Sequence, residues 1–193
     1  MARRSRLIGG HLLRSGLVVP TLVQSVQRGA ITLPDGTASA TATITAVDPL
    51  RTVVRSLGFS ATAPVTTAAE NTFAVVLTNA TTVTGSRQTG GSPASEVIGS
   101  YEAIQYAPGV IKSIQVGTVT ILNGNLSATA MITQLSNLSR TQIEVRGKFF
   151  DNAIEASANN AARVVLTDNV TVTATRTGSS GELIISFTVV EFY

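Results

Sequence analysis

Ser39-Ala40-Thr41-Ala42-Thr43-Ile44-Thr45-Ala46-Val47 sets Ala40, Ala42, Ile44 and Ala46 on one face and Thr41, Thr43 and Thr45 on the other. Successive side chains of an extended chain point to opposite sides, so this period of two predicts a half-buried strand over 39–47. Nearly the same phrase returns at Ala128-Thr129-Ala130-Met131-Ile132-Thr133, with Ala128 standing 88 positions after Ala40. Working outward, Ser25-Val26-Gln27-Arg28-Gly29-Ala30-Ile31-Thr32-Leu33 answers to Ser113-Ile114-Gln115-Val116-Gly117-Thr118-Val119-Thr120-Ile121. Val83-Thr84-Gly85-Ser86-Arg87 answers to Val172-Thr173-Ala174-Thr175-Arg176, and Ser100-Tyr101 to Ser186-Phe187. One strand-rich unit has been written twice.

Further strands are predicted at 23–33, 52–59, 73–77, 81–86 and 97–106, with their counterparts in the second copy. Asp35-Gly36 and Asn123-Gly124 carry the signal of a tight hairpin, because both pairs tolerate positive φ. Residues 64–71 and 87–95 read as loops. Pro108-Gly109 marks the boundary, and 149–160 is a polar insertion with room for a short helix. Short strands with turn signals every eight to twelve residues predict an all-β fold. Two tandem, similar β-sandwich domains, or small barrels, are expected at 23–107 and 108–193, preceded by an extended basic arm at 1–22. Each repeat is long enough for a modest core. With no Trp and few aromatics, that core must be filled by Val, Ile, Leu and Ala.

The net charge of +3 is unevenly placed. Arg3, Arg4, Arg6, Arg14 and Arg28 all precede the first carboxylate, Asp35; without these five, the remaining nine basic residues face eleven acidic ones, a balance of −2. The basic character belongs to the arm, which is expected to anchor the chain through Arg3, Arg4, Arg6 and Arg14 to a neighbouring subunit, nucleic acid or an acidic surface. A solvated tail is the alternative. Gly9, Gly10, His11, Arg14 and Gly16 interrupt residues 7–19, so neither a secretory signal nor a membrane span is expected there. Only Lys112 and Lys148 are lysines, so the sheet edges lack the lysines that usually blunt them, which predicts edges covered by partner subunits.

No chemistry-bearing constellation is predicted. His11 is the single histidine and lies in the arm, and the absence of Cys excludes disulfides and cysteine-built zinc sites. Asp35, Asp48, Glu70 and Glu96 are scattered, and Asp151 with Glu155 at i,i+4 reads as a solvated face. The two Asx-Gly turns lack the other ligands of a calcium loop. No enzyme, metal or cofactor is expected. The body is slightly acidic and has no basic stripe with aromatics, so it is not expected to bind nucleic acid. Arg51 corresponds to Arg140 and Arg87 to Arg176; these four are expected to form structural ion pairs, with a binding face as the alternative for Arg87 and Arg176.

The phrases of 25–33 and 38–44, Val172-Thr173-Ala174-Thr175-Arg176-Thr177-Gly178, and the closing Val189-Val190-Glu191-Phe192-Tyr193 resemble repeats found in structural proteins of tailed bacteriophages. The resemblance covers 23–193 and leaves the arm out. It implies a virion protein that binds other virion proteins and copies of itself: a tail fibre or tail-associated appendage held by its arm, or a head decoration protein that staples capsid subunits. It transfers no catalytic residues. The two copies depart from each other at the Gly90-Gly91 loop and at 149–160, where contacts with neighbours or a host-surface glycan would differ. A carbohydrate-binding surface module is the reading from another class, and the missing Trp counts against it.

Overall fold

β1 (Val23–Leu33) pairs antiparallel with β6 (Val97–Tyr106), which also pairs with β3 (Thr52–Ala61) on its other side. β2 (Ser39–Thr43) pairs with β5 (Thr82–Ser86), and β5 with β4 (Ala74–Asn79). The first repeat is thus two three-stranded sheets, β1-β6-β3 and β2-β5-β4. The second repeats the plan. β7 (Ile111–Ile121), β12 (Glu182–Phe192) and β9 (Thr141–Asp151) form one sheet; β8 (Ser127–Met131), β11 (Thr171–Thr175) and β10 (Arg163–Leu166) form the other. This computed structural model describes residues 21–62, 72–88, 95–151 and 161–193, with residues 150 and 151 as backbone alone. The fold is all-β.

Each pair of sheets is held by one apolar core, a sandwich-like arrangement. Ile31 and Leu33 of β1, Val54 of β3 and Val97 of β6 meet Val75 of β4 and Val83 of β5, with Phe73 filling the centre. In the second repeat Val119, Ile121, Ile185 and Phe187 meet Val172 and Ala174. β-Branched residues dominate both cores, as their stiff side chains suit a pleated surface packed on one side.

Two expectations are corrected. Asp35-Gly36 and Asn123-Gly124 do form turns with Gly36 at φ 73° and Gly124 at φ 87°. However, the strands they join do not pair with each other, so each turn is an arch between sheets and not a hairpin. The hairpins lie at β4–β5 and β10–β11. Likewise, the strand expected over 39–47 stops at Thr43. There the chain leaves the sheet, and Ile44 and Val47 donate their N–H groups to Thr81 and Ala80, closing the core beneath the β4–β5 turn. Ile132 and Leu135 do the same with Val170 and Asn169. β3, expected to continue that strand, therefore begins in the opposite sheet. Of the insertion at 149–160, the first three residues prolong β9; the remainder, with Glu155, lies outside the described residues, as do most of the loops at 64–71 and 87–95.

Candidate functional site: the seam between the repeats

β9 carries one residue more than its partner strand requires. Gly147 faces Ser186 and Val145 faces Phe187, which leaves Arg146 as the extra residue of a bulge. A bulge re-aims its side chain. Arg146 points across to the first repeat, is only 7% exposed, and donates from Nη1 to Val75 O (3.1 Å) in β4 and from Nε to Phe187 O (3.2 Å) in β12. Burial pushes its pKa down from the usual arginine value, though a guanidinium remains charged at any ordinary pH. One side chain thus holds a strand of each repeat.

Around it the flank of repeat 1, where β3 and β4 end the two sheets, rests on the outer face of β7-β12-β9. Val53 packs with Ile111 and Val190, and Tyr106 meets Phe192 edge-on with ring centres 5.9 Å apart. A Cβ on Gly147 would collide with the backbone of Ala74, so only glycine lets β9 approach β4 this closely. Two hollows remain along the seam. One of about 170 Å³ is lined by Leu50, Val54, Leu77, Ile114, Val116 and Arg146. The other, of about 270 Å³, is lined by Phe59, Phe73, Val145, Arg146 and Lys148 among others. The surface of both is mainly apolar, although Arg146 borders each and Lys148 the second.

Charged groups are arranged in rows. Arg28, Glu102 and Arg55 stand abreast on β1, β6 and β3. The buried Glu102 carboxylate pairs with both guanidinia, Arg55 at 2.5 Å. Their hydrogen bonds, led by Arg55, hold its pKa below the usual carboxylate range. At the position of Arg55, the second repeat has Glu144. Its Oε1 accepts from Gln142 (2.6 Å), while its buried Oε2 has no hydrogen-bond partner among the described residues. Burial pushes the Glu144 pKa up, with Arg55 pulling the other way. The Tyr106 hydroxyl is also pushed up, first by burial and then by the Glu144 charge, which keeps it protonated at neutral pH. Glu191 is buried at the far end of β12. It accepts from Ser136 Oγ (2.5 Å), Ser136 N (2.8 Å) and Asn137 N (3.0 Å), with Lys112 at 3.6 Å; these bonds, led by the hydroxyl, lower its pKa.

The four paired arginines take three different roles. Arg51 makes an ion pair with Asp48 (2.8 Å) and donates to Tyr106 O (3.0 Å). Arg140 is exposed; Asn137 occupies the place of Asp48, and no carboxylate pairs with Arg140 among the described residues. Arg87 and Arg176 close the inter-sheet arches through carbonyl oxygens. Arg87 donates to Pro34, Thr37 and Ser95, and Arg176 to Leu122, Asn125, Ser180 and Gly181. Arg3, Arg4, Arg6, Arg14 and His11 lie outside the described residues. Arg146 itself gave no signal in the repeat comparison, because Leu57 stands at its counterpart in a strand where 52–59 and 141–148 are identical only at Thr52/Thr141 and Gly58/Gly147. Among the described residues, no three His, Cys, Asp or Glu side chains are grouped as a metal site.

No family model, curated protein or solved structure matches this chain.

Proposed function

We propose that this chain is a structural subunit of a larger particle, a virion protein of the tailed-bacteriophage kind, in which two β-modules are displayed by a basic N-terminal arm. The observation that carries the reading is what the duplication kept. Gln27 and Gln115 each bracket the backbone of the residue 18 positions on, Thr45 and Thr133, by donating to its carbonyl and accepting from its N–H. Arg87 and Arg176 fasten the arches, and Asp48 and Asn137 cap the short 3-10 turns through Leu50 N and Ser139 N. The retained polar side chains thus serve the chain's own backbone, as expected of selection for shape. Arg146 adds a fixed angle between the modules, which suits a spacer or staple. The wording of the repeats, which resembles phage structural proteins, supplies the kind of particle, and copies of the chain would act together by avidity.

Deleting residues 1–22 tests the arm. The expected outcome is a folded protein that no longer joins the particle, read by immunoblot of purified particles. Unchanged incorporation would overturn the anchoring role. Immunogold labelling of intact particles separates the two placements: label over the shell assigns a decoration role, and label at the tail or one vertex an appendage.

A further inference from the structure

The seam joins two unlike surfaces: the β3–β4 flank of repeat 1 and the outer face of the β7-β12-β9 sheet of repeat 2. Since the repeats are copies, each carries a version of both. Folding one chain uses one flank and one face. The β9–β10 flank of repeat 2 is left over, and so is the outer face of β1-β6-β3 in repeat 1 away from Val53 and Tyr106, which already meet repeat 2. We infer that these two surfaces bind each other between copies of this chain, so that it associates head to tail.

Burial of matched positions supports this. Val53 and Ala74 of the used flank are buried, Val53 against Ile111 and Val190 and Ala74 against Gly147. Their counterparts Gln142 and Arg163 are exposed. On the faces, Arg146 is 7% exposed, whereas Leu57 at the matching bulge of β3 is 51% exposed. Val190 is buried and its match Ile104 is half-buried. Gly147 is pressed against Ala74, while a Cβ on Gly58 would meet nothing.

The chemistry of the leftover pair is also consistent. Leu57, with Val26 at 40% exposure, offers apolar groups where the used face offers Arg146 and Ile114. The waiting flank presents Leu138, 45% exposed at the place of Pro49, and the half-buried Val165. Gln142 replaces Val53 and Ser139 replaces Leu50, which makes the new interface wetter than the seam and its association reversible. A heterologous contact of this kind closes into a ring or runs on as a filament, according to the rotation between copies.

The partner follows from the reading of this chain as an assembly subunit. The contact itself is tested on purified full-length protein, so its failure leaves the particle experiments untouched. Sedimentation velocity of the wild type should show the sedimentation coefficient rising with concentration. Leu57→Asp removes the face and Leu138→Asp removes the flank; each variant alone should stay at the monomer value. An equimolar mixture of the two should form dimers and nothing larger, because each variant keeps the surface the other lacks. Circular-dichroism melting verifies that the variants fold, and Val26→Asp stands in for Leu57→Asp if needed. A wild type that is monomeric at every concentration, a variant that associates alone, or a mixture that stays monomeric would each overturn the inference.

Discussion

Arg87 sends Nε, Nη1 and Nη2 to three carbonyls that no strand ladder satisfies, two of them within the Pro34–Thr37 arch. A buried acceptor left unpaired costs about 1–3 kcal/mol, more than its hydrogen bond contributes when made. Only the Ser95 acceptor is fully buried, since Pro34 is exposed and its oxygen also accepts from Thr37 N, so Arg87→Ala is expected to destabilise by about 1–3 kcal/mol in urea unfolding. Arg87→Lys should recover little of this, since one ammonium cannot replace a planar fork aimed at three oxygens. Arg176 should behave alike in the second repeat. Glu144 gives a prediction of pH dependence. Its folded pKa is raised above that of an ordinary glutamate, so the stability it contributes is complete below the ordinary value and is lost as pH rises through the folded pKa. Glu144→Gln should thus melt higher than wild type near neutral pH, with the gap closing as the buffer is acidified toward about pH 4. Glu191 has the opposite sign, because its folded pKa is lowered. Glu191→Gln should melt lower at neutral pH, and that gap should close only as pH falls through the folded carboxylate's own titration. Matching pH trends for the two variants would show that burial does not govern Glu144.

At the scale of elements, most strands were legible because alternation and β-branched residues report local backbone directly. What alternation cannot report is which strand lies beside which. Asp35-Gly36 favours a positive φ at the glycine, and Gly36 adopts one. Whether the chain then returns along its own sheet or crosses to the other is set by contacts far away in sequence, such as the Arg87 bonds to Pro34 and Thr37. Residues 39–46 alternate, yet only the first five are strand, because Ile44 and then Val47 turn into the core. The duplication was readable from offsets alone. The seam was not, since it depends on positions where the copies differ: Arg146 against Leu57, and Glu144 against Arg55. The arches also yield a prediction. Gly36→Ala and Gly124→Ala each place a Cβ on a left-handed backbone with open space around it. Each should cost about 1 kcal/mol in chemical denaturation and leave the sheets intact by circular dichroism. A loss several times larger would mean that the arches are clamped more rigidly than their exposure implies.

For the whole molecule, the decisive quantity is the coupling between two cores that share no residues. One is built from Ile31 to Ala103 and the other from Val119 to Val189, with Val53, Ile111 and Val190 forming a third, smaller cluster across the seam. Interfaces between domains of one chain are often loose enough to allow relative motion. This one is fastened by a buried guanidinium bonded to a carbonyl of each repeat and by a glycine pressed on β4. Heating should therefore unfold the full chain in a single calorimetric transition, because opening the seam strands Arg146 and exposes Val53 and Val190 together. Arg146→Met keeps an apolar stem in the bulge and removes both hydrogen bonds and the buried charge. Replacing a buried charge by an apolar side chain of similar volume is often neutral for local packing, so the second core should survive. What should be lost is communication: the single transition should separate into two, one for each repeat, since independent units no longer satisfy two-state behaviour. A variant that still melts in one transition, merely at a lower temperature, would mean that apolar contact alone couples the repeats and that Arg146 sets their angle without carrying their cooperativity.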